Sequence, residues 1–184
     1  MQLMRKPFIF MRHGETDANQ NHLFCGATDI ALNAMGRQQA INARNNLAAI
    51  KTDHMTVISS PMKRAIETTR LALPDASFVT EPGLTERDWG ALEMTALTKP
   101  VCYQETPSGG EPWQDFIERV TTALNTILHN YEHPLIIAHS GVYRAIQFHL
   151  TGSPAGPRIP NATPVRFWPD QAETYGWQQS MNTE

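Results

Sequence analysis

A chain of 184 residues, 41% hydrophobic and 18% charged, fits one α/β domain spanning residues 1–184; a chain of this size buries roughly 70% of its unfolded surface, enough for a core, and the balance excludes disorder. The formal charge of −3, with short basic pairs at Arg5-Lys6 and Lys63-Arg64 and no dense basic run, speaks against a nucleic-acid surface. Cys25 and Cys102 make neither a disulfide framework nor a CxxC zinc site, and the apolar run from Pro7 to Met11 is too short for a signal peptide or a membrane span, so a soluble, cytoplasmic protein with no membrane partner is expected.

Apolar periodicity then switches repeatedly between strand-like and helix-like runs. Pro7 to Met11 reads as a buried strand. Ala40, Ala43, Leu47 and Ile50 place a helix over Met35 to Ile50, with Asn33 as its N-cap. Met55 to Ile58 is a second strand, and Pro61 opens the next helix, where its missing N–H costs nothing. Ser77 to Thr80 makes a short third strand. The segment between Gly90 and Gly109 offers at most about two helical turns, Ala91 to Leu97, before Pro100 breaks any continuation; this is the short cap, about residues 91–110. Trp113, Phe116, Ile117, Val120, Leu124, Ile127, Leu128 and Tyr131 form the clearest helical stripe. Pro134 to Ala138 is a buried strand, a helix runs from about Gly141 to Leu150, and Pro164 to Trp168 is a last strand, placed at an edge because prolines flank it. The polar tail after Tyr175 is expected to fray. This order predicts an α/β three-layer sandwich, a mostly parallel central sheet with helices on both faces.

In such sheets ligands bind beyond the carboxyl ends of the strands. Three of those ends carry cationic or potentially cationic side chains: Arg12-His13-Gly14-Glu15-Thr16 after the first strand, Arg64 in the helix after the second, and His139-Ser140-Gly141 after the strand ending at Ala138. If the strands are neighbours, two arginines, two histidines and a helix N-terminus meet at one spot, which suits an anion of high charge density such as phosphate. Singly, each of these residues would be a surface charge or turn residue. His22, His54, His129, His133 and His149 are read as surface or locally bonded side chains.

The string Arg12-His13-Gly14-Glu15-Thr16 resembles the histidine phosphatase superfamily, which includes phosphoglycerate mutases. The likeness continues through Asn19, Gly26, Asp29, Leu32, Gly36 and Gln39-Ala40. It takes in SSPMKRAIETT (59–69), then Leu84, Glu86, Trp89 and Gly90, then Gly109-Gly110-Glu111, and ends at His139-Ser140-Gly141. The resemblance implies that His13 is the nucleophile and forms a phosphohistidine, while Arg12, Arg64 and His139 hold the equatorial oxygens. It makes Glu86 the proton donor and acceptor, with Asp88 and Glu81 as rivals. Asn19, Gly14 and Ser140 become phosphate-binding residues, and no metal or other cofactor is implied. Three departures stand out. Asn33 replaces the usual threonine cap, Ser140 replaces a glycine, and the cap segment is shorter than the usual helical insertion.

Other chemistries find less support. Ala138 and Val142 occupy the glycine positions that a serine-hydrolase elbow around Ser140 would need. No cysteine is followed six positions later by arginine, and no Gly-x-x-x-x-Gly-Lys loop occurs. A phosphate-binding or regulatory module without catalysis is a third possibility, opposed by the filled catalytic positions. Within the family the rival is a phosphoglycerate-type mutase. Such an enzyme needs a well-covered site and several cations for a second anionic group, whereas the cap supplies only Lys99. Hydrolysis of a small phosphorylated metabolite is therefore expected.

Overall fold

The computed structural model describes residues 1–50, 55–99, 101–171 and 176–181; His54, Pro100 and Tyr175 fall outside them. The protein is a mixed α/β fold around a six-stranded, mostly parallel sheet. In chain order the strands are β1 (Phe8–Arg12), β2 (Thr56–Ser59), β3 (Phe78–Thr80), β4 (Pro134–Ala138), β5 (Pro164–Pro169) and β6 (Trp177–Ser180). In space they run β3-β2-β4-β1-β5-β6, with β3, β2, β4 and β1 parallel and β5 and β6 antiparallel to their neighbours. The helices are α1 (Asp17–Gln20), α2 (Ala34–Ala49), α3 (Lys63–Ala72), α4 (Trp113–Asn130) and α5 (Ser140–Thr151).

Successive strand residues point to opposite faces, and here both faces are covered. Phe8 and Phe10 of β1 pack with the apolar stripe of α4 and with Val142 and Ile146 of α5. Ile9 and Met11 pack with Ala43 and Leu47 of α2 and Ala65 and Ala72 of α3. That two-sided burial explains why FIFM and PLIIA are unbroken apolar runs rather than alternating ones. Among the described residues no helix is long and apolar enough to cross a membrane.

Four expectations are corrected. β5 is not an edge strand, because it pairs with β1 on one side and β6 on the other. Its prolines stand at the two ends of the strand, where a missing N–H does least harm to the ladder. Within the described part of the tail, Trp177–Ser180 forms β6 instead of fraying, and Trp177 packs edge-on against Phe8 with ring centroids 6.0 Å apart. Pro61 does not open α3; Met62 is its N-cap, and Asp29 accepts from the Lys63 N–H at 2.8 Å. Ala91 to Leu97 forms no α-helix, only a 3-10 turn at Gly90–Leu92. Met94 has φ 60°, which interrupts a right-handed helix. The Met94 and Leu97 N–H groups instead donate to the carbonyls of Phe24 and His22.

Candidate active site

Parallel pairing of β2, β4 and β1 brings their carboxyl ends side by side. The His13 N–H donates to the Ala138 carbonyl, so the chain after β1 leaves directly beside the chain after β4. Gly14 and Gly36 approach so closely that a Cβ on Gly14 would lie 2.4 Å from the Gly36 carbonyl oxygen. Asn33 caps α2 through the Gly36 N–H at 2.8 Å and donates from its amide to Glu15 at 2.9 Å. Thr16 and Asn19 cap α1 reciprocally. The first loop is thus pinned from three sides.

His13 is buried, and its Nδ1 lies 2.6 Å from the Gly14 carbonyl oxygen. A carbonyl can only accept, so Nδ1 carries the proton and Nε2 keeps its lone pair in the neutral ring. His139 is fully buried; its Nε2 pairs with Ser60 Oγ at 2.7 Å, and its Nδ1 has no partner. The two imidazole centroids are 5.3 Å apart. Among the described residues no hydrogen bond joins Ser140 to a histidine, since His139 pairs with Ser60 and His149 with Thr121, so the serine-hydrolase arrangement finds no support.

Arg64 is buried in the first turn of α3, donating to the carbonyls of Gly26 at 2.9 Å and Thr28 at 3.0 Å. That loop is fixed by Glu93, whose carboxylate accepts from the N–H groups of Gly26, Ala27, Thr28 and Trp89 and from the Thr28 hydroxyl. These bonds hold its carboxyl pKa down against the opposing effect of burial. Arg12 donates to the Ile159 carbonyl at 3.2 Å, and its buried Nε has no partner. Burial lowers the Arg12 pKa to about 10, with the Arg158 and Arg64 charges adding to the effect, so it remains a cation at neutral pH.

Glu86 is buried, only 8% exposed. Its carboxylate accepts from the Arg87 N–H at 2.8 Å and from the Gly141 N–H, at the start of α5, at 2.9 Å. A side chain at Gly141 would collide with Glu86, its Cβ falling 2.0 Å from the carboxylate. Burial pushes the Glu86 pKa up, opposed by those two N–H bonds and by Arg64 and Arg12. Arg119 keeps the Glu86 loop in place, donating to the carbonyls of Gly83, Thr85 and Glu86 while pairing with Glu111 at 2.7 Å.

A cavity of about 180 Å³ opens over these groups, with Arg12, His13, Asn19, Glu86 and Ser140 in its wall. Arg64 and His139 lie behind it rather than in it, yet both imidazoles feel the charges of Arg64 and Arg12. Asn19 presents Oδ1 to the Thr16 N–H and to Asn161, which leaves its amide nitrogen for an anion. Gly14 is the exception among the expected phosphate-binding residues: its N–H is already given to Thr68 Oγ1 at 2.9 Å. Its part is close packing and orientation of His13. His149 is locally bonded to Thr121 as expected, whereas His22 stands exposed at the cavity mouth.

Arg144, Arg158, Asn161 and Tyr103 also line the cavity and were missed in the sequence. Arg144 follows Ser140 by four residues on one helix, a spacing that puts both on one face and could have flagged it. The cap supplies one cation, Lys99, and Arg144 and Arg158 add two from outside the cap. Among the described residues no cluster of three His, Cys, Asp or Glu side chains is placed to hold a metal ion.

The buried imidazoles carry a stability consequence. Burial first, then Arg64 and the other nearby cations, holds the pKa of both His13 and His139 well below 6.5. Below about pH 6.5 the unfolded chain therefore binds more protons than the folded one, and stability falls as pH falls. Glu86 acts in the opposite sense, since its raised pKa removes stability as pH rises above the ordinary carboxyl range. Thermal melting is expected to be lower at about pH 5.5 than at pH 7.5, with a smaller difference in His13→Asn. An equal difference in the variant would contradict neutral burial of His13.

Residues 8–163 match the model of the histidine phosphatase superfamily (branch 1). The metal-independent phosphoserine phosphatase of Arabidopsis thaliana is 30% identical over 84% of this chain and 73% of its own. The adenosylcobalamin/alpha-ribazole phosphatase of Escherichia coli K12 is 30% identical over 79% of each chain. Among solved structures, the alpha-ribazole phosphatase of Shigella flexneri superposes with a TM-score of 0.76 at 26% identity, covering 95% of this chain and 94% of that one.

Proposed function

Because the chain belongs to the histidine phosphatase superfamily, we propose that it hydrolyses a small phosphorylated metabolite through a phosphohistidine on His13. The observation that carries this reading is the tautomer of His13. With Nδ1–H committed to the Gly14 carbonyl, Nε2 holds a lone pair beside two arginines. In the first step Nε2 attacks phosphorus, an N–P bond forms and the ester P–O bond breaks. The departing alkoxide takes the Glu86 proton, which burial favours by raising the pKa of this carboxyl. In the second step the Glu86 carboxylate removes a proton from water, which attacks the phosphohistidine, releasing inorganic phosphate and restoring His13. Arg12, in the cavity wall, holds an equatorial oxygen, Arg64 and His139 stabilise the transferring group from the buried layer next to it, and Asn19 and Ser140 add hydrogen bonds. A cytoplasmic setting is supported by the two free cysteines, Cys25 and Cys102.

Hydrolysis is favoured over phosphoryl migration by the cover. One 3-10 turn and a single bridge between Leu23 and Ala96 lie where a helical insertion would shut out water. The two phosphatases that resemble this chain over most of its length support the same choice. Supplying 3-phosphoglycerate with catalytic bisphosphoglycerate is expected to release inorganic phosphate faster than 2-phosphoglycerate forms. Faster isomer interconversion would make the protein a mutase.

A further inference from the structure

Ser60 is buried, and its backbone holds it against the end of β4. Its N–H donates to the Ile137 carbonyl at 2.9 Å, and its own carbonyl accepts from Ser59 Oγ at 2.8 Å. Its hydroxyl meets Nε2 of His139 at 2.7 Å, while Nδ1 of that ring is buried without a partner. Burial first, then the Arg64 charge, holds the His139 pKa well below 6.5, so the ring is neutral at neutral pH. A neutral imidazole has one N–H donor and one bare nitrogen, and Ser60 decides which is which. Ser60 Oγ accepts from the Met62 N–H at 3.4 Å, and among the described residues its own proton has no acceptor other than His139 Nε2. With the hydroxyl donating to Nε2, a single group stays unpaired, the N–H on Nδ1. The reverse assignment, Nε2–H donating to Ser60, strands two: the Ser60 proton and a lone pair on Nδ1. Each buried unpaired group is costly, so the first arrangement is favoured. A bare lone pair in the layer next to the phosphate cavity would also repel phosphoryl oxygens.

We propose that Ser60 is a positioning residue: it donates to His139 Nε2, fixes His139 as the Nδ1–H tautomer, and so turns an N–H rather than a lone pair to the phosphoryl group. The two imidazoles, with centroids 5.3 Å apart, then share one tautomer and have opposite duties. On His13 the Gly14 carbonyl takes the Nδ1 proton and frees Nε2 to attack. On His139 the Ser60 hydroxyl occupies Nε2 and frees Nδ1–H to donate. A carbonyl can only accept, whereas a hydroxyl can also give its proton, and that difference sets the two roles. As an account of catalysis this rests on the phosphatase reading; as an account of where a proton sits it is tested without turnover.

Long-range nitrogen–proton NMR spectra of the wild-type imidazoles at neutral pH, with His139 assigned through its backbone amide, read the tautomer directly and need no variant to fold. Nδ1 of His139 is expected to carry the proton and Nε2 to be bare, and inorganic phosphate is expected to move the Nδ1–H proton downfield. Ser60→Ala removes the donor but keeps the backbone bonds to Ile137 and Ser59, and should turn the single tautomer into a mixture. Its turnover of 4-nitrophenyl phosphate should fall about ten-fold or more, with the larger share of the loss in kcat rather than KM. Ser60→Thr keeps the hydroxyl and should restore both the tautomer and most of kcat. A wild-type His139 protonated on Nε2 would overturn the proposal, as would a Ser60→Ala protein, folded by circular dichroism, that keeps the Nδ1–H tautomer in full. The expected tautomer and phosphate shift in a wild type that hydrolyses no monoester would remove the phosphatase reading and leave the role of Ser60 standing. Turnover with the proton on Nε2 would remove the role of Ser60 alone.

Discussion

His13→Ala is expected to reduce turnover by roughly 10³ or more, the scale on which loss of a covalent nucleophile is felt, while the protein stays folded. The imidazole adds nothing to the sheet beyond its own packing: the ladder contact at this position is the backbone bond from the His13 N–H to Ala138. What disappears is the Nε2 lone pair held beside Arg12; the other imidazole lining the cavity, His22, is exposed. His139 is a poor substitute, because its Nε2 is engaged by Ser60 and it lies behind the wall. Circular dichroism and melting establish the fold; release of inorganic phosphate from a generic monoester measures the effect. Activity within a few-fold of wild type would exclude His13 as nucleophile.

Arg64→Ala is expected to lower kcat by roughly 10²–10⁴, the range for loss of an electrostatic clamp on a transferring phosphoryl group. Two effects combine. The positive charge felt by both imidazoles is lost, and the carbonyls of Gly26 and Thr28 lose their donor. Leaving the buried Gly26 carbonyl unpaired costs about 1–3 kcal/mol, and the part-buried Thr28 carbonyl less, so the loop that Glu93 ties down should loosen as well. Arg64→Lys separates the contributions, since it keeps the charge but cannot reproduce a planar fork reaching two carbonyls. It should recover part of kcat without recovering the full melting temperature. A decrease of less than about three-fold in Arg64→Ala would mean that Arg64 acts only through the loop.

The layers of the fold were legible because two-sided burial leaves unbroken apolar runs at β1 and β4, and because α4 carries an uninterrupted stripe. β6 was not legible. Its residues, Trp177-Gln178-Gln179-Ser180, are mostly polar, and what makes them a strand is pairing with β5 and the contact of Trp177 with Phe8. The same antiparallel return hid part of the site. Because β5 begins beside Met11, at the carboxyl end of β1, the loop before it must cross that end, and it carries Arg158 and Asn161 there. Nothing local to residues 152–163 announces this. His13, Arg12, Arg64 and His139 could be read because strand ends in a parallel sheet converge by topology. The burial of Glu86 could not, since it depends on Gly141 leaving room for a carboxylate at the start of α5.

The central claim, a phosphohistidine on His13, is tested most directly by trapping it. Mixing the enzyme with a phosphomonoester labelled in its phosphoryl group and quenching in alkali during turnover should leave label that is stable to base and labile to acid. Peptide mapping should place that label on His13, and His13→Ala should acquire none. Steady release of inorganic phosphate with no label on His13, or with label on Ser140 instead, would contradict the account.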